Sequence, residues 1–457
     1  MRILPFLTVL FASATTFAQP PAQPAGRAGG GGGRGQIRTE VESLGPTPRT
    51  ALLVGEKNAG SLAIIDPVKL EIVARIPVEN QPHEVATDGK YAYVGNAGAN
   101  TAIIVVNVAE QKREPSIDTG IFGSFHGLNV VNGKLYVSHE GTRMVTRWDP
   151  ATRKFDWALG TGGGSHLLII TPDERTIFTA NSNTTLITIL EAGQGGRGGA
   201  APAAAPAGVS PAQQVAMNVL LQSQAAPAIA VATARSELLR ASLTEPATVA
   251  ARAAALGQLE LALAGARADA FAKLQSSSNR LTPALVQSLA TASLTAPTTT
   301  VTGGGTNWRF TSFPGDTRLE GMALSPDGRE LWVVNMNVRP MTMTVINVPD
   351  KKLVATFPLQ TVFTNRMRFT PDGKHVLMNE LMGTDLVILD AVTHQEVKRI
   401  NVGAGGEGIF LDPDGTRAFY AVSNGNKLAV IDLKTFTVIK EIPGLQNPDG
   451  MDWYIAK

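Results

Sequence analysis

Thr370-Pro371-Asp372-Gly373-Lys374-His375-Val376-Leu377-Met378-Asn379 joins a tight-turn sequence to a short apolar strand. Proline presets φ at the turn and glycine accepts positive φ, so such a stretch reverses the chain in a hairpin. The turn recurs as Thr171-Pro172-Asp173-Glu174-Arg175, Ser325-Pro326-Asp327-Gly328-Arg329 and Asp412-Pro413-Asp414-Gly415-Thr416, with degenerate copies at Thr87–Lys90 and Val131–Lys134. After each turn comes a β-branched or aromatic run, among them Tyr91–Asn96, Leu135–Ser138, Ile177–Asn181, Leu331–Asn335 and Ala418–Val422. A polar loop then leads to a third strand, such as Ile103–Asn107 or Leu428–Asp432, and to a fourth, such as Glu396–Ile400 or Val438–Ile442. Four short strands repeating at about 40 residues define a β-propeller blade.

The innermost strands begin near His83, His126, His166, Glu320, Arg366, Glu407 and Asp449. Neighbours in that series lie about 40 to 46 residues apart, except for one interval that holds a period plus an insertion. The last innermost strand, Asp449–Ala456, has nothing after it. Its partners are supplied by Ala51–Val54, Leu62–Asp66 and Ile72–Ile76 at the other end of the chain. The expected fold is therefore all-β, a seven-bladed β-propeller with an Ala-rich α-helical insertion between blades three and four.

Gln81-Pro82-His83-Glu84-Val85-Ala86-Thr87-Asp88-Gly89-Lys90-Tyr91-Ala92-Tyr93-Val94-Gly95-Asn96 resembles the repeat unit of the YVTN family of β-propellers, as does Glu407–Asn424. The resemblance extends over most of 51–191 and 306–457. It implies a seven-bladed propeller of the exported, bacterial type. Related exported propellers include quinoprotein-associated proteins, surface antigens and, more distantly, lactonase-type enzymes, so the resemblance leaves the activity open.

The compositional breaks set the remaining boundaries. Residues 1–18 read as a signal peptide, with Arg2 ahead of the apolar Ile3–Phe11 and small residues before Gln19. Residues 19–45, with five consecutive glycines at Gly29–Gly33, read as a disordered Gly/Pro-rich tether. Propeller sequence fills 46–192 and 306–457. Between them, low-complexity linkers within 193–305 flank a helical segment at about 209–293. There Leu256, Leu259, Leu263, Ala266, Ala270 and Leu274 recur at helical spacing, with Pro246 near a helix start and Ser277-Ser278-Asn279 at a stop. This module is a candidate surface for another protein. No apolar run approaches the roughly 18 residues of a membrane span. The expected location is the periplasm or the exterior.

Lys and Arg number 40, Asp and Glu 38, and the net charge is +2, which leaves no global drive toward nucleic acid. Cysteine is absent, which excludes disulfides, thiolate metal sites, cysteine nucleophiles and covalently attached haem. Gly403–Gly408 matches G-x-G-x-x-G in letters but lies between two blades and opens no helix, so it is not a nucleotide fingerprint. Ser165-His166 lacks a nucleophile elbow. The five tryptophans read as blade packing.

In a propeller the loops entering the innermost strands share one face. His83, His126, His166, Glu320, Arg366, Glu407 and Asp449 should therefore surround one mouth of the channel, Arg366 lying between Glu320 and Glu407. His139 and Glu140, in a second-to-third loop, join them on that face, as do Glu56 and Glu380. His375 and His394 fall on the other face. Imidazoles and carboxylates suit a divalent transition metal, for which His83, His126 and His166 are the candidate ligands, and they suit acid–base chemistry near neutral pH. The leading expectation is an exported scaffold that binds a small ligand, a metal or a protein through this mouth. The alternative is an enzyme, a lactone-type hydrolase or a metal- or quinone-linked oxidoreductase, using the same residues.

Overall fold

The computed structural model describes residues 37–457 apart from 98–101, 120–121, 123, 162, 183–185, 194–229, scattered positions in 232–244, 277–299, 304–305 and 315–317. The segments read as signal peptide and, for the most part, as tether lie outside these residues, as does much of the insertion. Seven antiparallel sheets follow one another along the chain as the blades of a β-propeller. Blade one comprises Pro82–Thr87, Tyr91–Asn96, Ala102–Asn107 and Lys112–Asp118, paired in that order from the axis outward. Blades two, four, five and six repeat this meander.

Closure joins the two ends of the propeller. Pro448–Ile455 pairs with Thr50–Glu56, with Ala51 opposite Tyr454 and Leu53 opposite Asp452. Ser61–Asp66 and Glu71–Pro77 complete blade seven. Alternation along Thr50–Glu56 explains why it is apolar throughout. Ala51 and Leu53 pack with Val85, Ala92 and Val94 of blade one. Leu52 and Val54 pack with Phe419, Leu428 and Val430 of blade six. A strand buried on both faces needs no polar side. Residues 37–45, read from composition as tether, include Glu42–Ser43, which adds a fifth strand to this blade against Arg75 and Ala74.

The insertion leaves from the third strand of blade three and returns as its fourth. Leu186–Ala192 pairs with Thr306–Pro314, Ala192 lying opposite Trp308, and Thr300–Gly303 adds an outer hairpin strand. The junction thus falls one hairpin before the boundary of blades three and four. The helix Val249–Ser276 begins after a 3-10 turn at Pro246–Thr248. Leu263 is buried, and Leu256 and Leu259 pack beside it, in a cluster shared with Trp148 and Phe155 of blade two. Leu261, off this stripe, is 67% exposed.

Replacing 193–307 by Asn-Gly converts the excursion into a two-residue hairpin turn, which that dipeptide favours. The shortened protein is expected to keep one cooperative β-type melt, at a lower temperature because blade two loses its helical cover. Separate transitions by calorimetry would show that the insertion belongs to the core. Removing 449–457 is expected to abolish that melt altogether.

Candidate functional site

Local irregularity aims the site residues. In blade one, Pro82 and Glu84 oppose adjacent residues of the next strand, so His83 is the extra residue of a β-bulge. His166 is the extra residue between Ser165 and Leu167. Bulges also fall at Phe125–Leu128, Leu319–Met322 and Pro448–Met451, the stretches holding His126, Glu320 and Asp449. Arg366 and Glu407 lie just before the innermost strands Met367–Phe369 and Ile409–Leu411. A bulge bends the strand and re-aims a side chain, here toward the axis. The glycines that follow serve close approach. A Cβ on Gly450 would lie 2.2 Å from the His83 carbonyl oxygen, and one on Gly408 2.2 Å from that of Asp449.

Five of these residues form a connected group with Glu140. His83 Nδ1 donates to Asp449 Oδ2, because a carboxylate can only accept. His83 Nε2 lies 3.0 Å from His126 Nε2. The His126 and His166 rings meet with centroids 3.5 Å apart and planes tilted by 32°. His166 Nδ1 is 2.7 Å from Glu140 Oε1, and its Nε2 turns toward Glu320 at 3.9 Å. Beside them a 270 Å³ pocket is lined by His83, Glu84, Ser124, Phe125, His126 and Glu140.

Two further residues were not singled out in the sequence. Lys57, from the loop after Thr50–Glu56, lies 2.7 Å from both Glu407 Oε1 and Asp449 Oδ2. Glu84 Oε1 lies 2.5 Å from Arg366 Nη2 and 3.7 Å from His126 Nδ1. Arg366, expected between Glu320 and Glu407, thus pairs across the channel with Glu84, whose bulged strand carries it to the axis beside His83. Glu320 is held by Arg318 at 2.7 Å.

His139 is a correction. It is buried inside blade two, with Nε2 2.9 Å from Thr146 Oγ1 and its ring beside Phe122. It ends the second strand where other blades carry Asn96, Asn181, Asn335 and Asn379. Asn181 and Asn335 bond to Thr188 and Thr344 of the adjoining strand in the same manner. His139 therefore takes a packing position and not a place at the mouth. Glu56 and Glu380 are likewise tied within their blades, to Arg75 and Arg399. His375 and His394 lie against Phe436 and Phe357, away from the group.

Burial and neighbouring charge set the protonation pattern. Burial opposes ionisation of Asp449, but Lys57 and His83 outweigh it and hold the carboxyl far below its usual range. Burial, then the charge on Asp449, pushes Glu407 up. Burial lowers the His83 pKa and the Asp449 carboxylate raises it, with a net rise. Burial, followed by His166, His83, Arg366 and Lys57, holds His126 well below the ordinary value. His83 thus favours the imidazolium and His126 the neutral ring, which fits one proton between the facing nitrogens. Five carboxylates, Glu84, Glu140, Glu320, Glu407 and Asp449, face three permanent cations, Lys57, Arg318 and Arg366. With His83 as the imidazolium one negative charge remains, and two once that proton leaves.

The fold and this mouth define a seven-bladed propeller with a buried His/carboxylate group on its axis. No family model matches the chain, and no curated protein matches it in sequence. Among solved structures, Kuenenia stuttgartiensis hydrazine synthase aligns at 14% identity and TM-score 0.53, over 87% of this chain and 97% of that one. A functionally unknown protein from Desulfotomaculum acetoxidans aligns at 11% identity and TM-score 0.53, over 88% and 98%. These likenesses are of fold alone.

Asp449→Asn is expected to cost about 3–5 kcal/mol, because it leaves the buried His83 without its carboxylate and Lys57 with Glu407 alone. Glu407→Gln, which removes a carboxylate already pushed toward neutrality, should cost less than half as much. Urea midpoints at pH 7 measure both. A depressed His126 pKa means that the neutral ring stabilises the fold above about pH 6.5 and that this contribution is lost as pH falls. Stability between pH 7 and 5 should therefore be flatter in His126→Gln than in the wild type.

Proposed function

We propose that this chain is an exported binding propeller whose channel mouth takes a divalent transition metal through His83 Nε2, His126 Nε2 and the Glu84 carboxylate. Candidate ligand atoms of these three residues all lie within 4.8 Å of one another. The observation that carries the reading is the Asp449 lock on His83 Nδ1, so that His83 Nε2, once its proton is displaced, offers a lone pair beside His126 Nε2. Carboxylates behind imidazoles are the usual outer partners of metal-binding histidines. Two nitrogens on a tetrahedral zinc stand about 3.3 Å apart at normal bond lengths, close to the present separation. The surplus of negative charge favours a dication, and the pocket beside the group leaves room for an exogenous ligand. His166 then serves as a neighbouring ring and not as a third ligand.

Export rests on Arg2, the Ile3–Phe11 run and the small residues before Gln19. The enzyme reading draws on the same His83–Asp449 pair, which is the arrangement of a general base, and a lactone assay with and without metal addresses it. The YVTN repeat resemblance is consistent with either role.

Metal-free protein titrated with zinc should bind one equivalent. The affinity should rise from pH 6 to pH 8, since the metal must displace the proton held between His83 and His126. His83→Ala and Glu84→Gln should each weaken it at least tenfold, while His375→Ala and His394→Ala leave it unchanged. Equal effects from both pairs of variants would reduce the group to a structural charge network.

A further inference from the structure

The far end of the channel is a second cavity, of about 630 Å³, within the range of small-molecule sites. Its mouth is framed by the repeat turns themselves, at Pro326, Pro371 and Pro413. Leu128, Leu168, Met322, Phe369, Ile409 and Phe410 make much of its wall. Two arginines lie within it, and they differ. Arg366 is discharged by Glu84 at 2.5 Å. Arg368 makes no ion pair among the described residues. Its Nη1 bonds only to the Met367 carbonyl oxygen at 3.1 Å, and its guanidinium lies over the Phe410 ring at 4.8 Å.

The acid closest in character to a partner is engaged elsewhere. Asp452 shares the cavity wall, but its Oδ2 accepts from the Thr87 N–H at 2.8 Å and its Oδ1 from the Trp453 N–H at 2.8 Å. Burial also pushes its carboxyl up to about 6. Asp412, at the rim, is taken by Arg417. A guanidinium carries five donors in a planar fork, and burial without an anion is costly. Here the fork is pre-positioned by its place over Phe410, beside the apolar part of a cavity that polar residues also line.

We infer that this cavity binds a small amphipathic carboxylate, its anionic head on the Arg368 guanidinium and its apolar body against Phe369, Ile409 and Leu128. The fork–fork match of guanidinium to carboxylate supplies orientation, and the apolar wall supplies area. Glu84 belongs both to this cavity's wall and to the proposed metal ligands, but the inference does not depend on the metal.

Calorimetric titration in the presence of a chelator, so that the channel-mouth group is metal-free, tests the inference with three probes: 4-phenylbutyrate, 4-phenylbutanol and 4-phenylbutylamine. The acid should bind at least tenfold more tightly than the alcohol, and the amine least. Arg368→Met, which keeps a long apolar stem over Phe410, should weaken the acid at least tenfold and leave the alcohol unchanged. Arg368→Lys should retain part of the preference. The comparison of probes on the wild type stands even if a variant fails to fold. Equal binding of acid and alcohol, absence of binding by the acid at millimolar concentration, or undiminished binding of the acid by a folded Arg368→Met protein would each overturn the inference.

Discussion

Antiparallel pairing of Pro448–Ile455 with Thr50–Glu56 is the constraint on which the rest depends. A chain of sheets can coil around an axis without meeting itself, and its terminal blades then expose an apolar face each. Here the first and last described strands of the propeller proper share one sheet, so blades six and one both find a neighbour. The favourable area is large because the seam strand is buried on both sides, and apolar burial contributes about 25 cal/mol per Å². Its cost is topological, since contacts separated by nearly the whole chain form late and slowly.

Closure also creates the buried charge. Seven innermost strands start at the same height around one axis, and a bulge in most of them turns a side chain inward. Any polar residue at that position must meet its counterparts from the other blades. Lys57 is the clearest consequence. It belongs to the N-terminal part of the chain, yet it bridges Glu407 and Asp449 near the C-terminal end. Without the seam these three charges would each be solvated; with it they must neutralise one another in a site of low dielectric. The depressed Asp449, raised Glu407 and opposed histidine shifts are expressions of that one forced encounter.

This separation of causes explains what could be read in advance. The Pro-Asp-Gly turns at Pro326, Pro371 and Pro413 act locally, so the hairpins and their period stand in the sequence. The ring of residues from His83 to Asp449 follows from the period, since equivalent positions must share a face. Glu84 was hidden because strand alternation would send it opposite to His83, and only the bulge brings both to the axis. Lys57 carried no signal at all, as its partners come from the other end of the chain. His139 was misplaced although a signal existed: Asn96, Asn181, Asn335 and Asn379 at the matching strand ends mark a packing role for that position. The anchoring of the helical stripe Leu256–Leu263 on blade two was equally invisible, because periodicity names a buried face and not what covers it.

The two ends of the channel differ for a reason rooted in the same repeat. At the strand starts, bulges present charged and imidazole side chains, and their mutual compensation fills the axis. Further along the same strands the regular alternation returns, and Leu128, Leu168, Met322 and Phe369 line the opening. The Glu84–Arg366 pair lies at the transition: Glu84 lines both the pocket beside the histidines and the far cavity. Arg368, two residues beyond Arg366 and so on the same side of its strand, carries a positive charge past that pair into the apolar half. A spacing of two residues at the start of a single short strand thus gives one arginine a partner across the channel and leaves the next without an ion pair among the described residues, so the two mouths need not bind the same chemistry.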